Sequence, residues 1–231
     1  PIYYIFIVFG IIFPNVYPTA LGECTLEIYG GVVKDIPEIV ELILDESKKL
    51  VHEFGDVNPR PYSVYITNNM NDFYNKSKGP TPEWGIAVAK SNPDRIILKA
   101  LGIANISFVR MKEVIKHELN HIYLYRIPQH HSMPSWFKEG LAMRSANEFS
   151  LLHKIEISKS NWRKQIIPLQ RLQNISTFSK ERIKLAYGES AAAIEALEYY
   201  HGTEIIKNIL NGKDTGRKAD IVILNAAASI F

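Results

Sequence analysis

With 231 residues, 46% of them hydrophobic and 22% charged, the chain is long enough to bury a proper core, and a disordered or fibrous protein is excluded. Its 27 basic and 24 acidic residues give a formal net charge of +3 and are scattered along the chain, without the basic stripe that nucleic-acid binding uses, so no nucleic-acid partner is expected. The one cysteine, Cys24, rules out an intrachain disulfide framework and a cysteine-rich metal site.

Ile2 to Phe13 is an almost uninterrupted apolar run, followed by Pro14, Pro18 and the small-residue stretch Thr19-Ala20-Leu21-Gly22. This reads as a signal peptide over residues 1–22, cleaved after Gly22, and is too short for a comfortable membrane span. A buried N-terminal strand shares the composition and stays open as the alternative. The expected location is therefore secreted or in the cell envelope, with membrane contact only through an N-terminal segment left uncleaved. Glu23 before Cys24 speaks against a lipoprotein. Truncation at both ends is expected, because the chain starts at Pro1 without a basic segment and stops at Phe231 inside an apolar run.

Thr25 to Tyr29 reads as a short strand ending at Gly30-Gly31. Asp35 and Glu38 are spaced as a capping box, and the helix they open carries Ile39, Ile43, Leu50 and Phe54 on one face until Gly55 closes it. Tyr62 to Ile66 alternates as a half-buried strand does, a short helix follows around Asn71 to Lys76, and Trp84 to Ala89 and Arg95 to Lys99 are two more strands across a turn at Lys90 to Asp94. A small, mostly antiparallel sheet is expected, with Ile96 to Lys99 as the edge that takes an extended peptide.

Asn105 or Ser107 caps the next helix, whose apolar face is Phe108, Met111, Ile115, Leu119 and Ile122 and which Pro128 ends. A loop with His130 and His131 leads to Pro134 and a helix over Trp136 to Glu148. Beyond Leu151 the chain reads as mostly helical, with helices over Ser179 to His201 and Glu204 to Leu210 and a last segment from Ala219.

The helix that Asn105 or Ser107 caps carries His117-Glu118-Leu119-Asn120-His121. Residues four apart share a helix face, so His117 and His121 can bring two ring nitrogens to one ion with Glu118 beside them. A catalytic zinc takes three protein ligands and keeps a fourth position open, and Glu139, in Pro134-Ser135-Trp136-Phe137-Lys138-Glu139-Gly140-Leu141-Ala142, is a candidate third ligand. Zinc lowers the pKa of bound water and polarises a carbonyl, and a neighbouring carboxylate takes the water's proton, the place Glu118 holds. Metzincins need Gly and His three and six residues after the second histidine, where Leu124 and Ile127 stand. His130 or His131 remains the alternative third ligand.

HELNH followed by PSWFKEGLA resembles the gluzincin arrangement of thermolysin and the membrane alanyl aminopeptidases, and most closely the bacterial peptidase MA-like family, whose pattern is HExxH, a short gap and PxWxxEGLA. The resemblance takes in Ala186-Tyr187-Gly188-Glu189-Ser190 and spans roughly Tyr62 to Leu210. It implies an α+β, zincin-like fold: a metallopeptidase domain over 23–231, with a sheet-containing lobe over 23–104 and a mainly helical lobe over 105–231. It also implies Zn2+ on His117, His121 and Glu139, a peptide or protein substrate, and an oxyanion donor, for which Tyr187 is the candidate and His201 the second. Two departures stand out. Where thermolysin-like enzymes have an aspartate four residues after the glutamate ligand this chain has Met143, and no G-x-M-x-N string precedes His117, which favours an endopeptidase over an aminopeptidase. Two rival readings are a catalytically weak, zinc-stabilised binding domain and an envelope maturation factor of narrow specificity.

Overall fold

The computed structural model describes residues 7–8, 11–12, 15–28, 36–78 and 85–212. Gly30-Gly31, Asp35, Trp84, the segment from Ala219 and most of the run Ile2 to Phe13 lie outside them. The chain divides into two compact units, one of residues 1–52 and 56–125, the other of residues 53–55 and 126–231.

The first unit holds a two-residue ladder, β1 (Ile7–Val8) with β2 (Ile11–Ile12), and a five-stranded sheet of β3 (Asn15–Thr19), β4 (Gly22–Ile28), β5 (Tyr62–Thr67), β6 (Ala87–Lys90) and β7 (Arg95–Lys99) in the order β3-β4-β5-β7-β6. The sheet is mixed rather than mostly antiparallel. β4 pairs with β5 and β5 with β7 in parallel, while β3–β4 and β6–β7 are antiparallel. The cause is the chain between the strands: a parallel neighbour needs a crossover, and the helix α1 (Ile36–Phe54) supplies one between β4 and β5. Ile39, Ile43, Leu50 and Phe54 of α1 are all buried, as their spacing requires, and Gly55 ends the helix with φ of +107°.

β7 is not the edge expected of it. It is paired on both sides, and Ile96, Ile97 and Leu98 are fully buried; the edge on that side is β6. Period-two alternation identifies a strand but does not tell whether one neighbour or two will pair with it.

Residues 15–21, expected from composition to belong to a leader, form β3 and the turn into β4. The pair runs in register from Asn15↔Leu26 to Thr19↔Gly22, Leu21 is fully buried, and the Thr19 hydroxyl donates to the Gly22 carbonyl at 2.6 Å. Gly22 has φ of +112°, and a Cβ there would lie 2.3 Å from the Arg60 carbonyl oxygen. The small residue is thus needed for the turn itself and for its close approach to the neighbouring backbone. Cys24 is fully buried on β4, and burial pushes its thiol up to about 12, against a smaller opposite effect of the Tyr62 hydroxyl, so it is an inert packing residue.

The unit is completed by α2 (Met70–Ser77), the single turn α3 (Leu101–Ala104) and α4 (Phe108–Leu124). Of the two candidate caps, Ser107 opens α4: its hydroxyl accepts from the Arg110 N–H at 3.1 Å. α4 packs against β6, and the Tyr125 hydroxyl at its C-terminus donates to the Ala89 carbonyl at 3.2 Å.

The second unit is helical: α5 (Ser135–Ser145), α6 (Leu151–Trp162), α7 (Lys180–His201) and α8 (Glu204–Leu210), with short 3-10 turns at His130–Ser132 and Arg171–Thr177. Its core is the crossing of α5 and α7. Trp136, Phe137, Leu141 and Ala142 of α5 and Ala191, Ile194 and Leu197 of α7 are fully buried. Arg144 of α5 is clamped between Glu53 and Glu198, its Nη2 2.8 Å from the Glu198 carboxylate.

Candidate metal centre

His117 and His121 stand one turn apart on α4, both half-buried, with their Nε2 atoms 3.2 Å apart and ring centroids 5.0 Å apart. Two imidazole nitrogens each about 2.0–2.1 Å from a tetrahedral zinc are separated by roughly 3.3 Å, so the pair has the spacing of two ligands of one ion. Glu118, on the same helix between them, is only 8% exposed. Its side chain is therefore largely withdrawn from bulk water.

Glu139 lies in the second turn of α5, and the residues around it explain the PxWxxEGLA string physically. Pro134 precedes the first helical residue and lacks only an N–H that has no helical partner there. Trp136, three residues before Glu139, is fully buried and packs edge-on against Phe137 at 5.9 Å, anchoring the helix. Gly140 is where α5 touches α7: a Cβ there would lie 2.3 Å from the Ser190 carbonyl oxygen and 2.8 Å from Ile194 Cγ1. Burial pushes the neighbouring Lys138 ammonium below its ordinary range, while the Glu139 charge opposes that shift.

One ligand atom from each of His117, His121 and Glu139 lies within 4.8 Å of the others, and all three residues are half-buried. Neither His130 nor His131 belongs to this group. Their ring centroids lie 3.5 Å apart with the planes tilted by 43°, and His130 Nδ1 lies 3.2 Å from the Ile127 carbonyl oxygen. Two imidazoles and one carboxylate are a donor set that fits zinc.

Tyr187 and His201 lie on α7, 14 residues and about 21 Å apart along its axis. Tyr187 is half-buried and sits one turn before Ser190, the residue against which Gly140 packs. His201 is exposed at the far end of the helix. Ser190 turns its hydroxyl back to the Ala186 carbonyl at 2.6 Å, so the segment Ala186 to Ser190 serves the helix crossing whatever else it does. Met143 is buried in α5, 4% exposed, and its thioether gives a histidine N–H at best a weak acceptor.

No protein-family model matches the chain, and no curated protein sequence does. Solved structures do. An M1 zinc metallopeptidase from Deinococcus radiodurans superposes with a TM-score of 0.51 at 15% identity, over 94% of this chain and 48% of that one. A mutant of an M1 zinc metallopeptidase from the same organism gives 0.51 at 14% identity with the same coverage. The fold is zincin-like. At such identity the likeness is one of fold, and the chain spans about half the length of the structures it matches, 48%.

The true edge, β6, follows from α1 and α2, which make β4, β5 and β7 parallel neighbours and leave β6 outside. The Ile86 carbonyl accepts from the Lys99 N–H at 3.0 Å, so in the antiparallel alternation Ala87 and Ala89 direct their backbone groups away from β7. The Tyr125 bond to the Ala89 carbonyl comes from that outer side.

Proposed function

We propose that the chain is a zinc-dependent metallopeptidase domain of the gluzincin type, nearest to the peptidase MA-like pattern, in which His117, His121 and Glu139 hold the metal. The observation that carries this is the convergence of those three side chains, to within 4.8 Å, in a fold shared with M1 zinc metallopeptidases. Zinc bound there supplies a water of lowered pKa and polarises the scissile carbonyl.

The chain's own residues do the rest. Glu118 takes the proton of the attacking water and delivers it to the leaving amine, its burial keeping competing solvent away. The Tyr187 hydroxyl donates to the oxyanion that develops at the carbonyl. The substrate is an extended peptide that adds to the outer side of β6, pairing with the backbone of Ala87 and with the Ala89 N–H while Tyr125 holds the Ala89 carbonyl. An endopeptidase is the favoured form, supported by the lack of a G-x-M-x-N string before His117. An extracytoplasmic location is supported by the apolar run Ile2 to Phe13, while the β3–β4 hairpin weighs against a cut at Gly22.

The test is Glu118→Gln. The amide keeps the side chain's size but cannot accept the proton, so hydrolysis of an unstructured protein such as casein falls by about 100-fold or more while bound zinc is unchanged. Equal cleavage by parent and variant would sink the proposal.

A further inference from the structure

The helix α6 (Leu151–Trp162) has no buried residue, yet it is fixed at both ends. A capping box closes its start, where the Ser150 N–H meets His153 Nδ1 at 3.2 Å. At its end Lys164 takes φ of +55° and the Gln165 N–H reaches the Ser160 carbonyl at 2.8 Å, a Schellman closure. Twelve residues are too few for a stable isolated helix, so α6 is held by the face it turns to α7. That face is identifiable. His153 and Ile157 approach Gly188 within 3.4–3.7 Å of where its Cβ would be, and Lys154 pairs with Glu195 at 3.1 Å.

The opposite face is open and mostly apolar; Ser158, its one polar residue, turns its hydroxyl back to the Lys154 carbonyl at 2.9 Å. At about 100° per residue, Leu151, Ile155 and Trp162 fall within about 40° of one another and roughly 180° from the side of His153 and Ile157. They are 72%, 40% and 84% exposed, and Leu152 beside them is 72% exposed. Beside the stripe stand Lys159, Arg163 and Lys164, all exposed, and over residues 151–164 four basic side chains face a single acid, Glu156.

A stripe of leucine, isoleucine and a terminal tryptophan, flanked by cations, has the chemistry of a helix that lies in the interface of a bilayer rather than across it. Its length of roughly 18 Å suits that orientation. No described helix is long and apolar enough to cross a membrane. We infer that α6 docks this protein onto an anionic lipid surface, with Leu151, Ile155 and Trp162 entering the acyl boundary and Lys159, Arg163 and Lys164 meeting the headgroups. The cations select this occupant: an apolar protein partner would bury the stripe without needing them, whereas an anionic bilayer attracts each by roughly fivefold in affinity.

The test is co-sedimentation of the full chain with vesicles of roughly three parts phosphatidylcholine to one part phosphatidylglycerol, and with phosphatidylcholine alone. The parent is expected to pellet with the anionic vesicles and far less with the neutral ones. The variant Leu151→Ser/Ile155→Ser/Trp162→Ser should lose binding by more than tenfold, and Lys159→Gln/Arg163→Gln/Lys164→Gln should lose the preference for anionic lipid. All six positions are exposed, so circular dichroism and melting temperature should match the parent, and the readout is binding rather than hydrolysis. A parent that stays in solution, or a serine variant that pellets as the parent does, overturns the inference. So does a parent that is dimeric by light scattering and becomes monomeric on the serine substitutions, which would make a second copy the occupant.

Discussion

Replacing Gly140 by alanine tests the helix crossing next to Glu139. The new Cβ would lie 2.3 Å from the Ser190 carbonyl oxygen, 2.7 Å from its carbon and 2.8 Å from Ile194 Cγ1. The first two atoms are backbone, so no rotamer change relieves the clash; α5 and α7 must separate by about 1 Å to restore ordinary contact. Overpacking of this kind costs about 1–3 kcal/mol, offset in part by the up to 1 kcal/mol or so that alanine gains over glycine in a helix. At about 2–4 °C per kcal/mol for a chain of this size, the melting temperature should fall by several degrees. Gly102→Ala is the control, because nothing lies within 4 Å of the Cβ it would add. It should melt with the parent or slightly above it. Thermal melts by circular dichroism decide the matter: a Gly140→Ala protein as stable as the parent, or two variants that behave alike, would refute the reasoning.

Glu189 is 7% exposed, and burial pushes its carboxyl up to about 7, although the Ile167 N–H and Arg182 pull the other way. A carboxyl whose folded pKa is raised contributes stability that is complete below its unfolded pKa and lost as pH rises through about 7. The unfolding free energy from urea melts should therefore fall between pH 5 and 8 by about 2–3 kcal/mol more for the parent than for Glu189→Gln; parallel pH profiles would show that this group does not ionise differently on folding. Tyr187→Phe should lower kcat by roughly 100-fold with KM little changed, and an unaltered kcat would move the oxyanion donor elsewhere. Arg144→Ala leaves the Glu53 and Glu198 carboxylates facing each other and should cost about 1–2 kcal/mol, read as a lower urea midpoint that Glu198→Gln in the same chain partly restores.

What the sequence discloses here follows what is local. Tyr62 to Ile66 and Arg95 to Lys99 are legible as strands because their alternation is short-range, and the α1 face of Ile39, Ile43, Leu50 and Phe54 because helical periodicity is. Strand order is not local. Ile96 to Lys99 sits inside the sheet because α1 and α2 carry the chain across it, and only reading the strands and helices together as crossover units would have placed β6 at the edge. The pattern Ala20-x-Gly22 shows how one composition serves two causes, since a hairpin turn pressed against Arg60 requires the same small residue as a processing site. At the metal centre, the helical spacing of four residues already put His117 and His121 on one face. The resemblance carried by PSWFKEGLA already favours Glu139 over His130 and His131, but eighteen residues of sequence separation fix no distance, and the folded chain adds that one ligand atom from each of His117, His121 and Glu139 lies within 4.8 Å of the others. The exposed stripe of α6 was invisible for the opposite reason: Leu151, Ile155 and Trp162 have the spacing of core residues, and sequence alone does not say that the core lies on the other side.

The most direct test of the central claim is X-ray absorption at the zinc edge, with metal analysis, on the purified parent and on Glu139→Gln and His130→Ala/His131→Ala. The expected result is one zinc per chain, bound by two imidazole nitrogens and a carboxylate oxygen, with affinity falling roughly tenfold or more in the Glu139 variant and unchanged in the double-histidine variant. A parent without zinc, or a zinc that ignores Glu139 and is lost with His130 and His131, would contradict the account.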